Sequence, residues 1–548
     1  MSTELPPLPE SYYENFLESL AQIVSKLLTD RETETVLASI RSFQDKLKRL
    51  SSQNLTRLSL EATEAAKQRR ETAARKGRQS TTSPYCHHEG KTCTQNCARG
   101  FLKAFAVGFS VKYLIGVLPA LLMGKVFKRP SILKQLAGKD TAMFALFLST
   151  FLSSYKGILC LLRRYSRSDR LNAFVAGSIA GASLLIDRDK RRRQSILLYL
   201  LTRAIQFTGA WLMKQWAISR KKRHNKELQE IKEKVDREGF APGQPRQLVV
   251  KKSWEDHLAK FMQRWAGVGV MILANAQIIF AFLFHQETLP KAYDSFLLTH
   301  SGWKHDFGGM AAPLRQAIGD TVNRMATEKG SIRMPLNTTS REFIAENVSP
   351  NIATIIPPKI RHKFIMCALQ HPLDPSCPRS KATLFRDEYL RALKLYVPLN
   401  VIMTAVFRSK QLTTQPTDVL SKFTYSCVRS AFFLAMYVSM GFATPCAVRP
   451  FIGKERPWIY LLPGAVGGAM TFLEARGRQL ELGLYCLPRA IESWWMLAVK
   501  YGYARNIRNG DVALFMLAMG TLMTMYQNDK DTISSHYLSV MTRFFGHN

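Results

Sequence analysis

The sequence predicts an all-α integral membrane protein: two tandem homologous repeats of about five apolar helices each, plus basic soluble helical arms. Three observations predict it. Apolar residues gather in blocks of roughly 17–25, the length a helix needs to cross a ~30 Å hydrocarbon core, and charge fills the gaps. Two segments read almost alike, Leu198-Tyr-Leu-Leu-Thr-Arg-Ala-Ile205 and Leu484-Tyr-Cys-Leu-Pro-Arg-Ala-Ile491. Each follows a glycine-rich apolar stretch, Gly177-Ser-Ile-Ala-Gly181-Ala182 or Gly464-Ala-Val-Gly467-Gly468-Ala469. Internal duplication of this kind is a recurrent plan of polytopic membrane proteins.

The first series of apolar blocks covers about 101–123, 141–162, 171–186, 195–216 and 265–285. The second covers about 386–407, 424–446, 457–473, 480–501 and 511–527. The paired segments stand 286 positions apart (484 − 198). Further on, the run Leu289-Pro-Lys-Ala-Tyr293-Asp-Ser295-Phe matches Ile533-Ser-Ser-His-Tyr537-Leu-Ser539-Val at an offset of 244 (537 − 293). The first series therefore carries 42 extra residues (286 − 244), which fall in the basic loop 217–263. Lys/Glu pairs at helical spacing predict a solvated helix there. The domain plan is a polar extension over 1–85, a first membrane repeat over 86–302 with the insertion 217–263, a polar linker over 303–366 and a second repeat over 367–548.

Within the extension, Phe16, Leu17, Leu20, Ile23, Val24 and Leu27 fall on one face of a predicted amphipathic helix, and 66–80 reads as a basic linker. If all five blocks of a repeat cross the membrane, the second copy sits inverted. If the short block 171–186 is re-entrant, the copies run parallel.

The formal net charge is +36, from 77 Lys and Arg against 41 Asp and Glu. A soluble chain this basic would suggest nucleic acid. Here the cations flank apolar blocks, which points to anionic headgroups, so the expected partners are membrane lipids, with membrane-protein partners or a second copy beside them and no nucleic acid. The nine cysteines form no secreted disulfide framework. Cys160, Cys427 and Cys486 lie in apolar blocks and read as small apolar fillers. The N-terminal residues carry early acidic groups and no apolar core, and the C-terminal residues match no peroxisomal or ER signal, so targeting is expected to be internal. Asn337-Thr-Thr339 and Asn347-Val-Ser349 are glycosylation sequons that matter only if that segment enters the ER lumen, the alternative location.

Three groups of residues are candidates for function. Gly177 and Gly181, like Gly464 and Gly468, are four apart and lie on one helical face, where small residues let helix backbones approach closely. Charged residues inside apolar blocks form the second group. Arg203 and Arg489 are equivalent, Glu492 follows Arg489 by three, and Lys156 lies in the second block. Asp187 and Glu474 end the third block at equivalent positions and are expected to pair with the two arginines. A charge at membrane depth costs at least ~2.5–3.5 kcal/mol and so faces the bundle or a wet cavity. The six residues are read either as interhelical salt bridges or as a binding site for an anionic lipid or metabolite. The third group is Cys86, His87, His88, Cys93 and Cys97, which could ligate zinc tetrahedrally although the spacing is not a common one; a disulfide is the alternative. Cys367, His371 and Cys377 occupy the corresponding region of the second repeat. Zinc aside, no cofactor is expected. No G-x-S-x-G, H-E-x-x-H or G-x-x-x-x-G-K-[ST] pattern occurs, and no enzymatic activity is expected.

Several motifs together resemble the transmembrane protein 135 family, also described as peroxisomal membrane proteins. They are Cys93-Thr-Gln-Asn-Cys97-Ala-Arg-Gly100-Phe, Phe151-Leu-Ser-Ser-Tyr155-Lys156-Gly157, Ala173-Phe-Val-Ala-Gly177-Ser-Ile-Ala-Gly181, His371-Pro with Ser376-Cys377, Leu393-Lys-Leu-Tyr-Val-Pro398-Leu and Arg505-Asn-Ile-Arg-Asn509-Gly510-Asp-Val. The likeness covers roughly 86–216 and 367–546; the 1–85 extension and the 217–263 loop are additions to the pattern. The glycine-rich helix alone is also similar to the mitochondrial inner-membrane translocase family. The first resemblance implies a polytopic protein of peroxisomes and mitochondria, linked to organelle dynamics and to fatty-acid and sterol handling, and it brings no catalytic residues. A transporter or channel for an anionic metabolite or acyl compound at the repeat interface is the alternative, and a translocase-like or scaffold subunit the third reading.

Overall fold

A computed structural model describes residues 86, 88, 92–122, 131–238, 254–327, 333–407 and 409–546. The 1–85 extension, with its expected amphipathic helix and linker, and His87 lie outside the described residues. Among the described residues the chain is helical, with one antiparallel bridge between Arg333 and Phe364. The main helices are α1 (Cys93–Leu122), α2 (Lys139–Tyr165), α3 (Asp169–Gly181), α4 (Lys190–Glu238), α5 (Trp254–Phe284), α6 (Lys291–His300) and α7 (Ala311–Thr327). They continue with α8 (Ile365–Gln370), α9 (Cys377–Phe407), α10 (Pro416–Val448), α11 (Leu461–Ala469), α12 (Arg476–Lys500), α13 (Gly510–Asn528) and α14 (Ser535–Phe545).

Among the described residues, five helical segments are long and apolar enough to cross a membrane: Cys93–Val117, Lys139–Tyr165, Lys190–Lys234, Trp254–Phe284 and Pro416–Phe451. This is fewer than the ten apolar blocks of the sequence. The glycine-rich blocks account for part of the difference. The α3 helix has 13 residues before tightening into a 3-10 turn over Ala182–Ile186, and α11 has 9 before a similar turn over Met470–Leu473. At 1.5 Å per residue, α3 reaches only about 20 Å as an α-helix, short of a ~30 Å hydrocarbon core.

The chain divides into two compact units, and they do not follow the expected repeat boundaries 86–302 and 367–548. One unit ends at Lys214 and resumes over Asn509–Asn548; the other is Gln215–Arg508. The fifth apolar helix of the first series, α5, thus belongs with α9–α12, and that of the second series, α13, belongs with α1–α3.

In the first unit α1 lies along α2, and α3 is held between α2 and α13. Close backbone approach explains the glycines. A Cβ on Gly177 would stand 2.8 Å from the Met519 carbonyl oxygen, and one on Gly181 would stand 2.9 Å from Met516 Cα. From the other side, a Cβ on Gly520 would stand 2.8 Å from the Phe174 carbonyl. The core beneath is aromatic. The Phe151 and Tyr155 rings stack, the Phe545 ring of α14 meets both edge-on, and Gln527 donates to the Tyr155 hydroxyl at 2.9 Å.

In the second unit α5 packs on α11 and α12, and α10 packs on α9 and α11. A Cβ on Gly464 would collide with the Asn275 carbonyl oxygen, and one on Gly468 would lie 2.8 Å from that of Met271. The segment from α6 to α8 adds short helices over a core that includes Phe282, Trp303, Leu314, Ile318 and Ile344. The α4 helix runs on through 217–238 with mostly exposed residues, and within this unit Arg220 and Arg223 clamp the acidic first turn of α5, at 2.7 Å to Asp256 and 2.5 Å to Glu255.

Candidate metal centres

Cys367 lies in the single turn of α8, and the chain reverses at His371-Pro372 before α9 begins at Cys377. Two local bonds fix the reversal. Asp374 Oδ1 accepts from the Ser376 amide at 2.8 Å, and the Asp374 carbonyl lies 2.7 Å from His371 Nδ1. With Nδ1 as the donor, the Nε2 lone pair is free to face Cys377 Sγ, 3.3 Å away. Cys377 Sγ is 3.7 Å from Cys367 Sγ. Cys446, near the end of α10, closes the group against Cys367 and His371. The four ligand atoms all lie within 4.8 Å of one another.

The first unit holds a group of the same composition. Cys86 Sγ is 3.7 Å from Cys93 Sγ, and Cys93 Sγ is 3.4 Å from His88 Nε2. Cys160, in the last turns of α2, faces both Cys86 and Cys93, and again every ligand atom lies within 4.8 Å of the others. In both groups the second cysteine is the first residue of a long helix, Cys93 of α1 and Cys377 of α9.

Surroundings match as well. Cys160 and Cys446 are 286 positions apart, the offset of the near-identical segments (446 − 160). Three residues on from each stands an arginine, and six further on an acid. Arg163 Nε donates to Asp169 at 2.6 Å, and Arg449 Nε donates to Glu455 at 2.5 Å. Arg449 is fully buried and also reaches Cys367 Sγ at 3.0 Å and Gln370 Oε1 at 3.2 Å. Without an ion, burial and the neighbouring Cys93 push the Cys86 thiol up, and the bond with Cys446 together with burial pushes the Cys367 thiol up. A metal would displace thiol protons on binding.

The expected first cluster therefore needs correcting. Cys97 is not a member; its sulfur is 3.4 Å from where a Cβ on Gly157 would stand. Cys160, expected as an apolar filler, completes the group of four instead. Helical spacing explains the exchange: Cys97 is one turn beyond Cys93 along α1, so its thiol is carried away from the loop, whereas α2 brings Cys160 back to it. Cys446 escaped the sequence reading because its partners lie about 70 residues or more upstream. The signal present in the sequence was Cys160-Leu-Leu-Arg163 with Asp169, matched by Cys446-Ala-Val-Arg449 with Glu455.

The charged candidates do not gather into one site. Asp187 is fully buried but pairs with Arg192 at 2.5 Å, not with Arg203. Glu474 is 3.7 Å from Arg478, not paired with Arg489. The reason is local: each acid sits at the start of the next helix, within five residues of a nearer arginine. Arg203 donates to Gln206 at 2.8 Å and lies 4.3 Å from the centre of the Tyr537 ring. Arg489 pairs with Glu492 at 3.0 Å, and Lys156 donates to Asn96 at 3.1 Å. The faces of Gly177, Gly181, Gly464 and Gly468 are filled by α13 and α5, so they offer no open groove to a partner.

No protein-family model matches the chain. No solved structure matches it.

Proposed function

We propose that this chain is a non-enzymatic polytopic membrane protein of peroxisomes or mitochondria, built from two copies of one five-helix unit, that supports organelle homeostasis, organelle dynamics and lipid metabolism. The observation that carries the membrane reading is the set of five long apolar helices. Their outward side chains agree with it: Leu114, Ile115 and Leu273 are more than 60% exposed, an arrangement that suits lipid better than water. Duplication is supported by the offset of 286 that relates Cys160 to Cys446, Arg163 to Arg449 and Asp169 to Glu455. Compartment and role come from the resemblance to the transmembrane protein 135 family.

Fractionation of cells expressing the tagged chain tests this reading, with peroxisomal, mitochondrial and ER markers and an alkaline carbonate wash. Retention in the washed membranes of peroxisomes or mitochondria is expected. Release by carbonate would overturn the membrane reading. Residence in the ER with glycan on Asn337 or Asn347 would overturn the compartment.

A second reading, transport of an acyl compound, has one feature in its favour. The second unit contains a cavity of about 80 Å³ lined by Phe282, Phe296, Leu434, Val438 and Phe442, with His300 on its wall. His300 is held by Glu388 at 2.6 Å. A largely apolar wall with a few polar groups, His300, Ser301 and Gln370 among them, suits an acyl chain and its head. Flux of a labelled fatty acid in proteoliposomes, lost on Leu434→Trp, is the outcome this reading requires.

A further inference from the structure

We infer that the chain binds two zinc ions, one at Cys86, His88, Cys93 and Cys160 and the other at Cys367, His371, Cys377 and Cys446. The argument rests on edge lengths. With Zn–S near ~2.3 Å and Zn–N near ~2.0–2.1 Å, tetrahedral angles place sulfurs about 3.8 Å apart and sulfur and nitrogen about 3.6 Å apart. The observed edges are 3.7 Å between Cys86 and Cys93 and 3.7 Å between Cys367 and Cys377. The sulfur–nitrogen edges are 3.4 Å to His88 and 3.3 Å to His371. A disulfide would bring two sulfurs to about 2.05 Å, far inside these separations.

Ligand chemistry agrees with geometry. Three thiolates and one imidazole form one of the common closed structural zinc sets, in which the protein fills every position and leaves none for substrate. His371 has the outer-sphere partner such ligands use, the Asp374 carbonyl at Nδ1, which turns Nε2 toward the ion. A Zn²⁺ with three thiolates carries a net charge of −1, and Arg449 at Cys367 is placed to balance it in the second site. The offset between Cys160 and Cys446 then makes the two sites counterparts. Each fastens a loop and the start of one long helix, α1 or α9, to the end of another, α2 or α10.

The test is metal content of the full-length chain purified in detergent without chelator. Elemental analysis is expected to return two zinc ions per chain. Exchange with Co²⁺ is expected to give sulfur-to-cobalt charge-transfer absorption and the intense visible bands of tetrahedral cobalt. Cys160→Ser and Cys446→Ser should each remove one ion, the double variant both, and Cys427→Ser neither. If a variant does not fold, the wild-type stoichiometry and cobalt spectrum decide by themselves. Wild-type protein without zinc, cobalt bound without sulfur charge transfer, or two ions retained in the double variant would overturn the assignment. Cluster cysteines recovered as disulfides after alkylation under non-reducing conditions would do the same.

Discussion

Arg449 joins an ion pair to a cysteine cluster: its Nη1 lies 3.0 Å from Cys367 Sγ while its Nε donates to Glu455 at 2.5 Å. Both side chains of the pair are buried, and Tyr460 donates to the second carboxylate oxygen at 3.1 Å. Removing one partner leaves the other charge buried and unpaired. Arg449→Met or Glu455→Gln should therefore destabilise the protein by about 3–5 kcal/mol, and the double variant by less than the two together. Arg449→Lys should not restore stability, because an ammonium cannot span Glu455, Gln370 and Cys367 as a planar fork does. Thermal unfolding in detergent measures all four.

Glycine substitutions should divide by what the new Cβ meets. Gly464→Val drives side-chain atoms into the Asn275 backbone of α5 and should cost at least ~1–3 kcal/mol. Gly177→Val should do the same against Met519 and Met523. Gly209, inside α4, has nothing within 4 Å of a built Cβ. Gly209→Ala should be neutral or raise stability by up to ~1 kcal/mol through helix propensity. Equal losses at all three positions would refute close helix contact as the reason for the conserved spacing within this chain.

Arg170 on α3 and Asp529 just after α13 pair at 2.7 Å, and the Asp529 side chain is nearly buried. Their coupling should appear as non-additivity. In a double-mutant cycle, Arg170→Ala and Asp529→Ala together should cost less than the sum of the singles by about 0.5 kcal/mol or more. Strict additivity would mean the pair contributes nothing.

Acid should weaken the second unit through His285. Burial holds its pKa below the ordinary 6.5, and the Lys500 ammonium beside it adds to the effect. A folded-state pKa lower than the unfolded one means the unfolded chain binds more protons, so stability rises with pH. The contribution is complete above 6.5 and is lost as pH falls from there toward the depressed folded value. His285→Gln should flatten the melting temperature against pH over that window, and an unchanged slope would rule out the histidine as its source.

Helix type and position were legible in the sequence wherever apolar periodicity was long. The apolar blocks that begin at 101, 141 and 265 reappear as α1, α2 and α5, because local burial and hydrogen bonding suffice to form a long apolar helix. The paired arginines, glycine clusters and offset of 286 could likewise be read from the chain alone, as could the cysteine and histidine of the loops before α1 and α9. Tertiary structure decided the rest. It joined α5 to α11 and α12 and α13 to α3, since which helix a glycine face accepts depends on shape along its whole length and not on sequence order. It gave Asp187 and Glu474 their near arginines, because charges pair with the closest partner the backbone presents. It removed Cys97 and brought in Cys160 and Cys446, whose sulfurs meet the loop cysteines, about 70–80 residues away in sequence, only after α2 and α10 have packed beside them. Spacing can mark one half of such a site; the other half is set by where a distant helix ends.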